Sequence, residues 1–267
     1  MAFSVSAVIP THFRPILLLE AMQSVARQSL APRELLVIDD RGDEEALRVV
    51  AEFSSSCAFP VRYVRNTRAP GACGSRNLGA FLSQSDWVAF LDDDDIWKPQ
   101  FLELLGMAGS TNEVDFALAG LVRFEWGKAL PTRYMPDGLT PETVLTRTAS
   151  MTGSNFLIKR ESFSAVRGFD PMMTVFNDWD LFIRLVRNGQ KYTVVKQPLA
   201  EWREHPGERI ATLSLRRADG IQRFLAHYGK AMPNWMRNDL KAVVSGIRRN
   251  KASSPISRLY YSIRLFQ

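Results

Sequence analysis

Residues 87–99 read Trp-Val-Ala-Phe-Leu-Asp-Asp-Asp-Asp-Ile-Trp-Lys-Pro, so five apolar residues are followed directly by four aspartates. An apolar run of this length is typical of a strand that is buried on both faces of a sheet. Two similar runs occur earlier, at Ser4 to Ile9 and at Glu34 to Ile38, and the second is also followed by two aspartates. The pattern therefore predicts a buried sheet with carboxylates at the ends of its strands.

Segments with helical spacing of apolar residues separate these strands. The predicted helices are Ile16 to Gln28, Glu44 to Phe53 and Gly74 to Leu82, and Val61 to Arg65 is a further strand. Strands that alternate with helices form right-handed β-α-β units around a mostly parallel sheet. Open sheets of this kind bind ligands beyond the carboxyl ends of their strands. Both acidic clusters lie at such ends.

The second half of the chain is less regular. It predicts strands at 115–124, 154–159 and 192–195, a loop at 127–141, a helix at 178–188 and helical structure from residue 208 onward. The stretch Ile96 to Pro99 is predicted to open a helix after the aspartates.

The composition excludes several classes of protein. The 267 residues are 46% hydrophobic and 23% charged, which is ordinary for a globular chain. No apolar run approaches the roughly 18 to 20 residues that a membrane-spanning helix needs. The cysteines Cys57 and Cys73 make no disulfide framework, and the start shows no secretory signal. We expect a reduced, cytoplasmic protein.

The charge is divided unevenly along the chain. Residues 202–267, the basic tail, hold thirteen Lys and Arg against four Asp and Glu, a net charge of +9, whereas the rest of the chain carries −3. Ser254-Pro255 is a good helix start, and Ile256, Leu259, Tyr260 and Ile263 then recur at helical spacing. The tail could therefore bind an anionic membrane surface, or its helices could pack on the body and expose arginines to water.

The aspartates Asp92 to Asp95 have two interpretations. Adjacent carboxylates repel each other, and a divalent cation with oxygen ligands would neutralise them. The alternative is a solvated acidic turn in which Asp95 caps the next helix. The position directly after a buried strand favours the metal. Mg²⁺ or Mn²⁺ suits such a site better than Ca²⁺, because few protein ligands suit an ion that shares its shell with substrate phosphates.

Six segments resemble motifs of the family 2 glycosyltransferases of GT-A fold, in the family's order. They are the opening strand at Ser6–Thr11, the second strand at Leu36–Asp40, the Gly-rich turn and Arg-Asn helix start at Gly71–Gly79, the "DXD" segment at Phe90–Pro99, the "ED" motif at Asn177–Leu181 and the Arg-x-His element at Trp202–His205.

The resemblance implies an α/β fold of GT-A type, in which a Rossmann-like, nucleotide-sugar-binding mixed sheet is flanked by helices and followed by a C-terminal helical extension. Residues 1–110 would form the nucleotide-sugar-binding half, 111–206 the acceptor-binding half and 207–267 the basic helical extension. The implied activity is inverting, metal-dependent transfer of a sugar from a nucleoside diphosphate sugar, UDP-linked, to a hydroxyl of a glycan or lipid-linked acceptor. Lipopolysaccharide or surface polysaccharide synthesis is the implied setting.

The resemblance also implies roles for the residues that would hold the nucleotide. Asp40 would accept a hydrogen bond from the base, Pro10 and Thr11 would line that pocket, and Arg76 would lie near the nucleotide.

Further residues would hold the diphosphate and the metal. Asp92 and Asp93 would hold the ribose or the donor sugar, directly or through the ion. Asp94 would bind the Mn²⁺ or Mg²⁺. Arg203 and His205 would close over the diphosphate, with His205 also a metal ligand.

Asp178 would be the general base that takes the proton of the acceptor hydroxyl. If Asn177 is the N-cap of the helix, Asp180 falls at N3, where its carboxylate can bond to the N–H of the cap residue. Asp180 is then structural, whereas Asp178 can project into a cleft. The alternative role of Asp178 is a favourable interaction with the helix dipole.

Three rival functions remain. A nucleotidyltransferase also uses strand-end aspartates and Mg²⁺, but usually has a Gly/Arg/Lys-rich loop after the first strand, which this chain lacks. A non-catalytic sugar-nucleotide binding module would not need Asp94 and Asp178. Nucleic-acid binding through the basic tail lacks any recognition motif, so we expect no nucleic-acid partner. We expect a cytoplasmic enzyme, peripheral on the inner face of the plasma membrane if the tail binds lipid.

Overall fold

A computed structural model describes residues 3–125, 128–147, 150–203 and 213–251. Its helices are α1 (Pro15–Ala26), α2 (Glu44–Ser56), α3 (Ala72–Leu82), α4 (Phe101–Thr111), α5 (Arg160–Ala165), α6 (Asn177–Arg187), α7 (Leu215–Tyr228) and α8 (Asn234–Lys251). Its strands are β1 (Val5–Thr11), β2 (Glu34–Asp39), β3 (Val61–Arg65), β4 (Trp87–Phe90), β5 (Ile96–Trp97), β6 (Phe116–Glu125), β7 (Lys128–Ala129), β8 (Phe156–Lys159) and β9 (Tyr192–Arg203).

The strands form one mixed sheet. Its order is β3-β2-β1-β4-β8-β6-β9-β5, and β7 pairs with β6. Neighbours among β3, β2, β1 and β4 run parallel, joined by helices, whereas β8 is antiparallel to both β4 and β6. The predicted α/β sheet with parallel β-α-β units is confirmed, and the expected mixed sheet with flanking helices is present.

Two hydrophobic cores cover the two faces of the sheet. Alternation along β1 shows how they are divided: Val5, Ala7 and Ile9 belong to one core, and Val8 belongs to the other. All four side chains are almost fully buried, which explains why apolar residues predominate in the strand. The helices α1, α2 and α4 lie over one face, and α3 and α6 cover the other.

The prediction that a helix opens at Ile96 to Pro99 was wrong. Ile96 and Trp97 form the short strand β5, antiparallel to β9, and α4 begins only at Phe101. The indole of Trp97 stacks on Phe101, with ring centroids 4.3 Å apart, and donates to the carbonyl of Ser154 at 2.7 Å. These contacts with distant segments override the local helical pattern.

The second half contains longer strands than its sequence predicts. The strand predicted at 192–195 extends to Arg203. Its pairing with β6 shifts register next to Gly120 and then continues as far as Arg203. The predicted C-terminal helices are present as α7 and α8, while the helical pattern from Ile256 to Ile263 lies outside the described residues. No helix in the described part of the chain is long and apolar enough to span a membrane.

Candidate active site

The carboxyl ends of β1, β2 and β4 meet at one edge of the sheet because these strands are parallel. Thr11 pairs in register with Asp39 at this edge, and the four aspartates follow the end of β4. The sheet therefore brings the two acidic clusters of the sequence to the same side of the molecule.

Asp93 faces the end of β1. Its Oδ2 accepts hydrogen bonds from the hydroxyl of Thr11 at 2.9 Å and from the backbone N–H of His12 at 3.2 Å. The Nη1 of Arg14 lies 3.1 Å from Asp93 Oδ1 and 2.8 Å from Asp94 Oδ2. Burial raises the pKa of Asp93 to about 6 despite the nearby Arg14 cation. Asp93 thus belongs to the side of the site where the nucleotide is expected.

Carboxylate oxygens of Asp92, Asp94 and Asp95 lie within 4.8 Å of one another. Asp92 and Asp94 are partly exposed, whereas Asp95 is buried and accepts a hydrogen bond from the hydroxyl of Ser154 at 2.5 Å. Burial and the neighbouring Asp94 and Asp92 charges raise the pKa of Asp95 well above its usual range. The donor set consists of hard oxygens that a Mg²⁺ or Mn²⁺ ion can share, with Asp92 and Asp94 the accessible members. Asp95 supports the turn rather than capping a helix.

Arg76, on α3, is buried beneath Asp92. Its Nη2 forms an ion pair with Asp92 Oδ1, and its guanidinium lies over the ring of Phe169, 5.1 Å from the centroid. Its Nε and Nη1 have no hydrogen-bond partner among the described residues. Arg76 also interacts electrostatically with Asp178. The guanidinium therefore lies between the acidic strand end and the start of α6.

Asp178 is the second residue of α6, and its Oδ1 accepts a hydrogen bond from the N–H of Trp179 at 2.8 Å. Burial raises the pKa of Asp178 to about 6; the Arg76 cation acts against this rise, and the Asp92 charge adds to it. A carboxyl group with such a pKa is ionised at neutral pH and close to the range in which it can take and return a proton.

The predicted capping arrangement of α6 is wrong. The N-cap is Phe176, in a left-handed conformation with φ of 57°, and Asn177 is already helical. The buried Asp180 carboxylate does not return to the cap. It accepts hydrogen bonds from Arg184 and from the hydroxyl of Tyr228 instead, so Asp180 is structural through contacts that the sequence pattern did not indicate.

The two aspartates after β2 have different surroundings. Asp39 accepts hydrogen bonds from the hydroxyl of Tyr63 and the N–H groups of Arg41 and Asp43, and these bonds hold its pKa below the usual value although burial acts to raise it. Asp40 accepts a hydrogen bond from the N–H of Gly71 at 2.6 Å.

The residues expected to bind the nucleotide base lie near one another. Asp40 Oδ2 is 3.5 Å from Nδ1 of the half-exposed His12, and Pro10 and Thr11 are buried at the end of β1. This places the four side chains around one part of the edge.

Arg203, the last residue of β9, reaches the acidic turn. Its Nε donates to the carbonyl of Asp94 at 2.9 Å, its backbone N–H donates to Asp95 at 3.3 Å, and its guanidinium pairs with Glu20 of α1. His205 lies outside the described residues.

Three residues of the site were missed by the sequence analysis. Ser154 links the turn by donating to Asp95 and accepting from the N–H of Asp92 at 3.0 Å. Gly153 leaves room for Arg76, and Glu20 holds Arg203. The Gly-Ser pair before β8 is a weak local signal, and Glu20 gives none, because its partner lies 183 positions away.

Comparison with known proteins gives the family. The family model described as "Glycosyl transferase family 2" matches residues 6–167. An uncharacterized glycosyltransferase of Haemophilus influenzae is 27% identical over 244 residues, covering 89% of this chain and 81% of that protein. The amylovoran biosynthesis glycosyltransferase AmsB of Erwinia amylovora is 24% identical, covering 78% of this chain and 74% of its own.

The fold has solved counterparts. The structure of S. aureus TarS 1-349 in complex with UDP-GlcNAc superposes with a TM-score of 0.69 at 15% identity, covering 98% of this chain and 80% of that one. Since the family model matches more than half of the chain, and the sheet, its flanking helices and the acidic strand end agree with it, the chain belongs to glycosyl transferase family 2, with the GT-A fold.

Proposed function

We propose that the enzyme moves one sugar, with inversion, from a UDP-linked nucleoside diphosphate sugar to a hydroxyl of a glycan or lipid-linked acceptor. Surface polysaccharide or lipopolysaccharide synthesis is the proposed setting. Asp178 is the proposed general base. The names of relatives support the donor class: WfgD of Escherichia coli, a UDP-Glc:alpha-D-GlcNAc-diphosphoundecaprenol beta-1,3-glucosyltransferase, is 32% identical over 114 residues, covering 43% of this chain and 44% of that protein.

One observation carries the proposal. The carboxylates of Asp92 and Asp178 come from opposite halves of the chain and interact with the same buried guanidinium, that of Arg76. A donor held at the acidic edge would therefore have its sugar close to a carboxylate whose pKa is about 6. The partly exposed position of Asp178 leaves room for an acceptor hydroxyl to approach it.

The chemistry follows from this arrangement. The acceptor hydroxyl is a weak nucleophile, and Asp178 increases its reactivity by taking its proton as the new bond to the anomeric carbon forms. Attack from the face opposite the departing nucleoside diphosphate inverts the anomeric carbon. The diphosphate leaves as an anion and needs no proton, so one carboxylate is sufficient.

The metal is proposed as Mn²⁺ or Mg²⁺, held by Asp94 together with Asp92, with His205 as a further ligand. When bound, such an ion neutralises the charge that develops on the diphosphate. Arg203 is proposed to bind the diphosphate, and its position against the backbone of Asp94 supports this role.

The nucleotide is proposed to bind across the ends of β1 and β2. Asp40 would accept from the base, Pro10 and Thr11 would line its pocket, and Asp93 would contact the ribose. The direct contact of Asp93 with Thr11 supports a shared function for these two side chains. Arg76 is proposed to contribute to the sugar end of the donor, because it lies between Asp92 and Asp178.

The partners follow from the same proposal. The donor is a nucleoside diphosphate sugar, the acceptor is a glycan or a lipid-linked sugar, and no nucleic acid is involved. The enzyme would act in the cytoplasm, at the inner face of the plasma membrane, with the basic tail attracted to anionic lipid.

The test is the variant Asp178→Asn. The matched control is Asp86→Asn, because Asp86 is exposed and lies at the end of β4 that is remote from the four aspartates. UDP release is measured with UDP-glucose, UDP-galactose, UDP-glucuronate and UDP-GlcNAc, using a GlcNAc-diphospholipid as acceptor. We expect Asp178→Asn to lose about 10² to 10⁴ in turnover while it still binds UDP. The control should keep its rate.

Other outcomes would replace the proposal. Near-normal turnover by folded Asp178→Asn would remove Asp178 as the base. Pyrophosphate as the product would indicate a nucleotidyltransferase. If the wild-type protein binds a donor but neither transfers its sugar nor hydrolyses it, even slowly, the protein is a binding module.

A further inference from the structure

Helix α7 packs directly against the chain that leads into α6. A Cβ atom added at Gly220 of α7 would lie 2.7 Å from Thr174 Oγ1 and 2.7 Å from Val175 Cγ2. Only glycine allows the two segments to approach this closely. Val175 also belongs to a small buried hydrophobic cluster with Ala218 and Ile221 of α7.

One turn further along α7, Phe224 contacts the start of α6. Its ring centroid is 5.2 Å from that of Phe176 and 4.7 Å from that of Trp179. Phe176 has a left-handed backbone, with φ of 57°, a conformation that is unfavourable for a residue with a side chain. Such a conformation persists only where the surroundings hold it. Phe224, which is fully buried, is part of those surroundings.

Another turn further, Tyr228 makes a buried hydrogen bond to the same helix. Its hydroxyl donates to Asp180 Oδ1 at 2.6 Å. The other oxygen, Oδ2, accepts from Arg184 Nε at 2.9 Å and from Arg184 Nη2 at 2.7 Å. Asp180 is only 2% exposed, so losing the hydroxyl would leave a buried acceptor without its partner.

Gly220, Phe224 and Tyr228 are spaced four residues apart, so they form one row along α7. This row contacts residues 174–180, the segment that contains Asp178, and we propose that it positions Asp178 for proton abstraction, with Tyr228 as a positioning residue that acts through Asp180. The inference rests on the proposed role of Asp178. The row lies beyond residues 6–167, which match the family model. This row of α7, rather than the whole C-terminal extension, would therefore support the catalytic base.

The first variant is Tyr228→Phe. A misplacement of about 1 Å can cost up to about 10² in rate, so we expect about a tenfold fall in kcat. The KM for the donor and the calorimetric affinity for UDP should not change, since the row does not touch the strand-end aspartates. Rates are measured as UDP release from UDP-glucose and UDP-GlcNAc and are divided by the folded fraction, taken from the stoichiometry of UDP binding.

Arg248→Gln is the matched control. Arg248 Nη2 on α8 lies 2.8 Å from Asp219 Oδ1 and 2.7 Å from Gln222 Oε1, both on α7. The variant therefore weakens the packing of α8 on α7 without touching the row of α7 that faces α6. Its kcat should equal that of the wild-type enzyme. If Tyr228→Phe does not fold, Phe224→Leu tests the same row and should give the same loss in kcat.

The double variant Asp178→Asn/Tyr228→Phe separates the two proposals. Once the base is removed, its position no longer matters, so the double variant should be no slower than Asp178→Asn alone. A further tenfold loss in the double variant would overturn the positioning role. If Asp178→Asn is inactive, two further results would also overturn the positioning role. One is a normal kcat in Tyr228→Phe, and the other is a loss in kcat that disappears after correction for the folded fraction. An active Asp178→Asn would instead refute the proposed base.

Discussion

At the scale of single residues, four consecutive aspartates have four different environments. Asp95 is buried against Ser154, Asp93 is buried against Thr11, Asp92 pairs with Arg76, and Asp94 is partly exposed. Burial raises the pKa of Asp93 and Asp95, because a carboxylate loses solvation when it leaves water. The same residue type therefore supports the turn at Asp95, faces the end of β1 at Asp93 and pairs with arginines at Asp92 and Asp94.

The raised pKa of Asp178 predicts an unusual pH dependence. A base works only when it is deprotonated, so kcat should fall about tenfold for each pH unit below about pH 6. An aspartate with the ordinary pKa near 3.8 would keep its rate down to about pH 4. The measurement is kcat between pH 4.5 and 8. The UDP-sugar is kept at saturation because Asp93 has a similarly raised pKa, and its protonation would otherwise alter the rate through donor affinity. A rate that stays constant to pH 4.5 would contradict the prediction.

Asp94→Ala should remove metal-dependent binding of UDP. The variant takes away an accessible member of the cluster of oxygens that lie within 4.8 Å of one another. Calorimetric titration of UDP with and without Mn²⁺ should show a large effect of the metal on the wild-type protein and little on the variant. Asp86→Ala, at the other end of β4, should behave like the wild type. If EDTA leaves wild-type binding and activity intact, Asp94 holds no metal.

At the scale of elements, the site depends on the loop that leads into β8. Gly153 and Ser154 lie against the acidic turn, and Trp97 of β5 donates to the carbonyl of Ser154. The loop therefore joins β4, β5 and β8 around the aspartates. Arg203 of β9 adds a link from the other side, through the backbone of Asp94.

Gly153→Ala should weaken donor binding. An added Cβ would lie 2.3 Å from Arg76 Nη2 and 2.8 Å from Asp92 Oδ1, so the ion pair must move. We expect about a tenfold or greater loss in UDP-sugar affinity, because a hydrogen bond to a charged group contributes about 1.5–3 kcal/mol and about 1.4 kcal/mol corresponds to a factor of ten. Gly246→Ala is the control: nothing lies within 4 Å of its added Cβ, and alanine in a helix is favoured by up to about 1 kcal/mol. Equal affinities in the two variants would show that the loop tolerates the methyl group.

At the scale of the whole molecule, charge is divided unevenly between two parts of the chain. The body carries −3 and the acidic site, and residues 202–267 carry +9. The helices α7 and α8 pack on the body through a buried cluster that includes Val175 and Ile247, so at least part of the extension is structural. Trp235, in the first turn of α8, is 57% exposed.

Removing residues 252–267 should reduce binding to anionic vesicles. The deleted segment contains Ile256, Leu259, Tyr260 and Ile263 at helical spacing, and basic residues near an anionic surface contribute roughly 1 kcal/mol each. Flotation of the full chain and of a form ending at Lys251 is compared on neutral and anionic lipid, at low and high salt. The full chain should float on anionic vesicles at low salt only. Equal flotation of both forms, or none, would leave the tail with a structural role.

The strands and their acidic ends were predictable from the sequence because their signals are local. A strand that is buried on both faces is mostly apolar, and β1, β2 and β4 have this composition. Parallel strands then bring their carboxyl ends to one edge whatever the remaining packing. The six motifs, read in order, correctly identified the family.

Only the tertiary structure decided how each polar side chain is used. A turn of four aspartates can point its carboxylates in several directions, and partners such as Thr11 and Ser154, 82 and 59 residues away, select among them. The start of α6 shows the same effect: Asn177 is a good local cap, but packing against Phe224 places Phe176 there, and Tyr228 takes the carboxylate of Asp180. Contacts between distant segments leave no periodic trace in the sequence, so a local pattern cannot reveal them.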